Sequence, residues 1–323
     1  MPLSEFDIIQ HCFASRTHQH RDVKRGIGDD AAVMAVPIDH DLVVAVDTLV
    51  EGVHFPVDTP ARYIAWKALA VNLSDLAAMG AEPAWFTLAL TMPKADEAWL
   101  NDFADGLFEL ADQYQMQLAG GDTTRGPLTV TIQIAGYVPT DKAMTRDGAK
   151  PGDVICVTNT LGDAAAGLSL LQHSARQTEA SEYLIARLHQ PIPRVATGRA
   201  LRDTATACID ISDGLLADLG HILTASGVGA RLQLDKLPLS AQLCRAVDNK
   251  QDQWRLALTG GDDYELCCCL PAEVLPHLTQ IADRIGDRIT PIGVIEAAAG
   301  IRLYDQETPC DLTGEQQGYR HFE

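Results

Sequence analysis

A chain of 323 residues that is 46% hydrophobic can bury a large core and exceeds the usual single domain, so two domains are expected. Aspartate and glutamate outnumber lysine and arginine 44 to 25, and the formal net charge of -19 argues against a nucleic-acid surface and against binding to anionic lipid. No run of about 18 apolar residues occurs, and Met1 to Asp7 is polar and acidic, so export and membrane insertion are not indicated and a cytoplasmic protein is expected.

Ser4 to Phe13 carries Phe6, Ile9 and Phe13 at helical spacing, and Asp41 to Thr48 is a β-branched run that predicts a strand. From Pro60 to Met79 the residues Ile64, Leu69, Leu73 and Leu76 recur at three- and four-residue steps and Gly80 supplies a stop, the pattern of a long helix. A strand over Trp85 to Met92, a helix over Glu97 to Met116 and an alternating strand through Leu128, Val130, Ile132 and Ile134 follow. Asp147 to Asp153 is rich in turn formers and marks the domain boundary, dividing residues 1–148 from 149–323.

Beyond it come a strand over Val154 to Val157, helices over 162–173, 181–188 and 194–206, and a strand over Ala207 to Ile211. A helix over Gly214 to Ser226 and a strand over Ala230 to Leu234 precede a less regular stretch. Tyr264 to Leu270, a helix near 271–284 and strands near 289–295 and 301–304 complete an alternation that favours an α/β fold. The eight cysteines form no Cys-x-x-Cys pair, and Cys267-Cys268-Cys269 reads as part of a buried strand.

Aspartates recur at glycine turns and strand ends: Asp29 and Asp30 after Gly28, Asp47, Asp122 after Gly120-Gly121, Asp210 and Asp213 around Ser212, and Asp262-Asp263 after Gly260-Gly261. A single glycine-aspartate loop commonly does no more than turn the chain, and an acidic surface commonly serves solubility. Five such loops in one chain point further. Hard oxygen ligands near strand ends suit Mg²⁺, which keeps several waters and is shared between a few carboxylates and substrate phosphates, so phosphoryl transfer from ATP is the natural chemistry. Asp75 and Asn72 share a face of an otherwise apolar helix, where core satisfaction and ligand roles are equally open. The Gly-x-x-x-x-Gly-Lys-Ser/Thr loop and the protein-kinase motifs are absent, so an ATP site would be of another type, with Gly120-Gly121 able to approach phosphate and Arg146 able to neutralise it.

The segments Gly26-Ile27-Gly28-Asp29-Asp30, Asp47-Thr48-Leu49-Val50-Glu51-Gly52-Val53-His54-Phe55, Lys67 to Gly80, Gly120 to Thr124, Asp210-Ile211-Ser212-Asp213-Gly214 and Gly260-Gly261-Asp262-Asp263-Tyr264-Glu265-Leu266 resemble the thiamine-monophosphate kinases, in that family's order and from about residue 5 to Phe322. The resemblance implies the two-domain fold of aminoimidazole ribonucleotide synthetase. In that fold the amino-terminal sheets of two subunits pair into a β-barrel and the carboxy-terminal α/β domain completes the active site. It implies a homodimer with ATP near the subunit interface, several Mg²⁺ ions, and transfer of the γ-phosphoryl group onto thiamine monophosphate as the last step toward thiamine diphosphate.

Carried over by position, the resemblance makes Asp30, Asp47, Asp75, Asp122, Asp210 and Asp213 magnesium ligands, together with the Val46 carbonyl. It places Gly121, Asp122, Arg146 and Ser212 at ATP, and His54, Asp262 and Tyr319 at thiamine phosphate. Ala45-Val46 stand where the family often has hydroxyl residues, and Asp262 stands where it usually has glutamate. Selenophosphate synthetase and hydrogenase-maturation relatives lack their reactive cysteine here. Aminoimidazole ribonucleotide synthetase is a rival that an acceptor screen separates, and a nonenzymatic nucleotide or metal sensor is a rival that would bind ATP without turnover.

Overall fold

The computed structural model describes residues 5–173 and 178–312, and for Glu5 and Phe6 the backbone only. The chain divides into two compact units, Met1–Leu76 with Ala81–Asp141, and Ala77–Gly80 with Lys142–Glu323.

The first unit begins with α1 (Glu5–Ile8), continued by a π-helical stretch, Ile9–Ala14, and a small antiparallel pair, β1 (Val23–Arg25) and β2 (Val33–Met34). There follow β3 (His40–Val50), α2 (Ala61–Ala78), β4 (Glu82–Met92), α3 (Glu97–Gln113), β5 (Gln117–Arg125) and β6 (Thr129–Pro139). The four long strands form a sheet in the order β3-β6-β4-β5, antiparallel except for the parallel β4/β5 pair.

Helix α2 is buried around most of its circumference, with Ile64, Leu69, Leu73 and Leu76 all in the core and Arg62 exposed. Its Leu76 lies over Gly136 of β6, where a Cβ would come within 3.1 Å of the leucine Cδ1. Helix α3 is amphipathic, capped by the Asp96 carboxylate on Trp99 N–H (3.2 Å), and buries Leu100, Phe103, Leu107 and Leu110. Gly106 lets the two helices touch, since a Cβ there would lie 2.0 Å from the Arg62 carbonyl.

Two edges bound this sheet. On β3 the even-numbered Leu42, Val44 and Val46 project outward, with Val44 50% and Val46 61% exposed. On β5 the Gly120-Gly121-Asp122 segment, expected as a glycine turn, instead lies inside a nine-residue strand. Gly121 is there for close approach: it has φ +157°, and a Cβ on it would sit 1.9 Å from the Leu88 carbonyl of β4.

The second unit comprises β7 (Val154–Thr158), α4 (Asp163–Gln172), α5 (Glu179–His189), α6 (Val195–Leu201), β8 (Ala207–Asp210), α7 (Leu215–Ser226) and β9 (Gly229–Gln233). It continues through α8 (Ala241–Ala246), α9 (Lys250–Thr259), β10 (Leu266–Leu270), α10 (Leu275–Ile285), β11 (Ile289–Glu296), β12 (Gly300–Asp305) and β13 (Thr308–Cys310). Helices α8 and α9 occupy the stretch expected to be irregular. Seven strands form one sheet, β13-β12-β9-β11-β7-β10-β8, antiparallel but for β9/β12.

Leu215, Leu219 and Ile222 of α7 share a core with Ile155, Val157, Ile209, Cys267 and Cys269. The cysteine run is thus central strand, as expected. Directly opposed in register, Cys156, Cys268 and Cys208 line one row across β7, β10 and β8.

Candidate functional site

In the first unit Asp47 sits within β3, three residues from its end rather than at it, and its N–H donates to Asn72 Oδ1 at 3.1 Å. Asn72 is fully buried in α2 and anchors its own amide on the Ala68 carbonyl (2.9 Å). Asn72 of the stripe noted in the sequence therefore fastens α2 to the strand that carries Asp47, and Asp75 is half-buried one turn further on.

Asp30 lies exposed in the loop after β1, where its N–H donates to Asp29 Oδ1 at 2.9 Å and Arg25 pairs with Asp29. Register puts Asp47 in a row with Ile132, Leu88 and Gly121, and Asp122 in the next row with Ala89, Thr131 and Thr48. Asp47 and Asp122 thus occupy opposite edges of the sheet, three strand spacings or about 14 Å apart. Within one chain the sheet does not bring them together.

His54 lies in the turn after β3. Its Nδ1 accepts the Val50 N–H at 3.0 Å, which assigns the ring proton of the neutral form to Nε2. The turn is pinned from below by Lys67, 3% exposed in the apolar helix α2, whose Nζ donates to the His54 carbonyl at 3.1 Å. Sequence reasoning passed over Lys67, although a lysine inside an apolar helix eight residues before Asp75 was a signal available to it.

In the second unit two loops are zipped together. Asp210 ends β8 opposite Leu266, and beyond it Tyr264 N–H donates to Ile211 O (2.8 Å), Ile211 N–H to Glu265 O (2.8 Å) and Asp262 N–H to Ser212 O (2.9 Å). The close approach requires glycine at 261, since a Cβ would meet the Ser212 carbonyl at 2.5 Å. Asp262 and Tyr264 both hold positive φ, +70° and +50°, and the Tyr264 hydroxyl donates to Asp262 Oδ1 at 3.1 Å. Non-glycine residues in that region cost on the order of 1–3 kcal/mol each and persist where their surroundings over-determine them.

The surroundings here are Glu265 and its partners. Fully buried, Glu265 receives a two-pronged contact from Arg194, whose Nε and Nη2 each lie 2.7 Å from it. Arg187 adds a third contact at 2.7 Å and the Thr158 hydroxyl a fourth at 2.6 Å. Asp287 ties into the same network through Arg194 and Thr197.

Ser212 and Asp213 are half-buried on the first of these loops. Their backbone is held from beneath by Asp218, 3% exposed in the first turn of α7, whose Oδ2 accepts the N–H groups of Ser212 (3.0 Å), Asp213 (3.0 Å) and Gly214 (3.2 Å). Burial, and then the neighbouring Asp210 charge, push the Asp218 carboxyl up to about 7 against those three hydrogen bonds. Arg146 has an exposed side chain, and its carbonyl accepts the Ser226 hydroxyl at 3.0 Å. Tyr319 lies outside the described residues.

The donor set expected toward a metal consists of carboxylates and one backbone carbonyl, that of Val46, without thiolate or imidazole, and such hard oxygen donors would fit Mg²⁺. Among the described residues no three His, Cys, Asp or Glu side chains gather into a cage. Mg²⁺ requires none, because one or two carboxylates, waters and substrate phosphates complete its octahedron.

Comparison with known proteins fits this two-unit architecture. Residues 28–138 match the family model described as AIR synthase related protein, N-terminal domain, and residues 150–306 match its C-terminal domain. The chain is 49% identical over 325 residues to the thiamine-monophosphate kinase of Salmonella typhimurium (strain LT2), covering 100% of this chain and 99% of that one. A crystal structure of thiamine-monophosphate kinase from Stenotrophomonas maltophilia K279a superposes with a TM-score of 0.87 at 48% identity, over 94% of this chain and 97% of that one. A structure of AaThiL complexed with AMPPCP and TMP gives a TM-score of 0.77 at 30% identity, over 89% of each. Fold and site thus define a two-domain protein of the AIR synthase class. Within that class, the chain belongs to the family of the thiamine-monophosphate kinases.

Proposed function

We propose that this chain catalyses ATP-dependent phosphorylation of thiamine monophosphate to thiamine diphosphate, the closing step of thiamine diphosphate synthesis, by direct in-line transfer of the γ-phosphoryl group. The observation that carries this reading is the full-length likeness to thiamine-monophosphate kinases, one of which has been seen with AMPPCP and TMP. The described residues contain no helix long and apolar enough to cross a membrane, and we assign the protein to the cytoplasm.

The physical problem is charge. Two unit negative charges about 4 Å apart repel by ~4 kcal/mol at an effective dielectric of 20, and this chain adds a net charge of -19 of its own. Bound Mg²⁺ supplies the neutralisation that lets both phosphate groups approach. Asp30, Asp47, Asp75, Asp122, Asp210 and Asp213, with the Val46 carbonyl, hold those ions. Gly121 gives the nucleotide phosphates backbone access, while Arg146 and Ser212 contact them. His54, through its Nε2–H, acts with Asp262 and Tyr319 on thiamine monophosphate. Asp262 is shorter than glutamate, and the Tyr264 hydroxyl holds its carboxylate in place. A phosphate acceptor is already ionised near neutral pH, so no residue need serve as general base, and positioning with charge neutralisation provides the acceleration.

The active form is a homodimer. Leu42, Val44 and Val46 are exposed on β3, whose outer edge has no neighbouring strand among the described residues, an association surface unless another strand covers it. Closing two such sheets into a barrel places β3 of one subunit against β5 of its partner, which unites the Asp47 edge with the Asp122 edge. Residues 1–148 on this reading are the nucleotide, metal and dimerisation domain, and residues 149–323 carry the remaining site residues.

The test is incubation with ATP, Mg²⁺ and thiamine monophosphate, followed by chromatography for thiamine diphosphate, with Asp47→Asn and Asp122→Asn alongside. Product from the wild type and at least a hundredfold less from either variant is expected. Equal turnover by both variants would remove the metal assignment, and ATP binding without any product would favour a nucleotide sensor.

A further inference from the structure

The loop Asp210-Ile211-Ser212-Asp213-Gly214 is bonded on both sides of its backbone. Its carbonyls at Ile211 and Ser212 accept from Tyr264 and Asp262, on the loop that carries the proposed thiamine-phosphate residue. Its three consecutive N–H groups at 212, 213 and 214 converge on a single oxygen, Asp218 Oδ2, at 3.0, 3.0 and 3.2 Å. Successive N–H groups that curl round one point form an anion nest, the type of concavity other proteins use for phosphate. Here the chain fills its own nest with a side chain from the first turn of α7.

That choice carries an electrostatic penalty that packing alone would not select. Asp218 is 3% exposed and lies close to Asp210, so a third carboxylate is buried beside two that are already proposed to share cations. An apolar residue would fill the space at less cost, but it would leave three N–H groups, that of Gly214 buried and those of Ser212 and Asp213 partly so, without this acceptor and the loop without a fixed curvature. Gly214, at φ +113°, is the point where the loop turns into the helix, and a Cβ there would come within 2.8 Å of the Thr259 backbone. The curvature is therefore set by Asp218 on one side and by the Asp262 loop on the other.

We infer that Asp218 is a positioning residue: through the three N–H groups it holds, it fixes the spacing at which Asp210 and Asp213 are presented to a divalent cation, and it links that spacing to the loop bearing Asp262. It touches neither substrate nor reacting atoms. The inference rests on the proposed reading of Asp210 and Asp213 as cation ligands, and the experiment separates the two.

Mn²⁺ serves as the probe, its binding to the full chain read from loss of the free-ion EPR signal in the absence of nucleotide. Folding of each variant is checked by circular dichroism, and amide hydrogen exchange is read over residues 211–215. Outer-shell partners of metal ligands typically matter by 10- to 100-fold in affinity, and Asp218→Leu, which keeps volume but offers no acceptor, is expected to weaken Mn²⁺ binding by about that factor. Asp218→Asn, which keeps an acceptor oxygen, is expected to stay within about threefold of the wild type. At saturating metal the KM for thiamine monophosphate of Asp218→Asn should change by less than about twofold, while Asp218→Leu should need about tenfold more metal for half-maximal turnover.

Equal Mn²⁺ binding by the wild type and by an Asp210→Asn/Asp213→Asn variant overturns the ligand reading and the inference with it. Unchanged binding in Asp218→Leu, with the double variant impaired, overturns the inference alone. Should the leucine variant fail to fold, the wild type still decides: slow exchange over 211–215 in metal-free protein is required, and exchange at the rate of an exposed loop overturns the proposal.

Discussion

Asp263 accepts the Gly162 N–H at 2.7 Å through one oxygen, while the other, Oδ1, is buried with no hydrogen-bond partner. Burial pushes this carboxyl well above its ordinary value, and Asp163 nearby is raised for the same reason despite its bonds from Ser240 and Thr160. The folded chain therefore keeps protons that the unfolded chain gives up. Stability from these groups is fully present below the unfolded carboxylate value of about 4 and declines as pH rises toward the folded value, by at most ~1.4 kcal/mol per unit for each group. Asp263→Asn should flatten that decline in urea melts between pH 4.5 and 7.5 and cost little at pH 7. Asp263→Ala, which also orphans the Gly162 N–H, should lose about 1–3 kcal/mol. Lys67 is the cationic counterpart in the first unit. Its Nζ holds the carbonyl of His54, so Lys67→Met is expected to raise the KM for thiamine monophosphate on the order of tenfold, with a smaller change in kcat, because a charged hydrogen bond of about 1.5–3 kcal/mol that orders the substrate turn is lost.

Helix α3 meets α2 through Gly106, whose missing Cβ would lie 2.0 Å from the Arg62 carbonyl, a backbone atom that cannot move aside without tilting the helix. Gly106→Ala should cost about 3 kcal/mol and lower the melting midpoint by several degrees in calorimetry. The contrast between elements shows what the sequence can express. Helix α2 was plain from its three- and four-residue apolar steps, because Ile64, Leu69, Leu73 and Leu76 all lie in the core, and the predicted span of 60–79 is close to the observed Ala61–Ala78. Strand β5 was invisible: it is an edge strand whose Gly121 serves close contact with Leu88, and glycine in one dimension reads as a turn. Helices α8 and α9 were missed because their starts are fixed by single caps, Ser240 on Leu243 N–H and Asn249 on Gln251 N–H, while the apolar periodicity between those caps is weak. At the site, the candidate acids on glycine loops stood out in the sequence and Lys67 offered a signal as a lysine inside an apolar helix, whereas Asp218 gave none, since it works through backbone groups brought to it by folding.

For the molecule as a whole, the sheet of the first unit puts Asp47 and Asp122 on opposite edges, and the proposed two-fold dimer would reunite them from different chains. Mixing Asp47→Asn with Asp122→Asn subunits, each inactive alone, should then restore activity to about a quarter of the wild type: half of the dimers are mixed, and each mixed dimer holds one intact site of two. Lysines at Leu42 and Val44 should give a monomer by light scattering and abolish that complementation.

The row of Cys156, Cys268 and Cys208, with Cys267 and Cys269 on the other face of the same sheet, has a practical consequence. Burial raises the Cys156, Cys267 and Cys269 thiols, and contact with Cys208 followed by burial raises Cys268, so thiolate is scarce until the sheet parts. Cys244, exposed, alkylates at once and supplies an internal time zero. The later labels on Cys156, Cys208 and Cys267 to Cys269, separated from that on Cys12 by peptide mass, act as a stopwatch on the opening of the carboxy-terminal sheet in the natural chain.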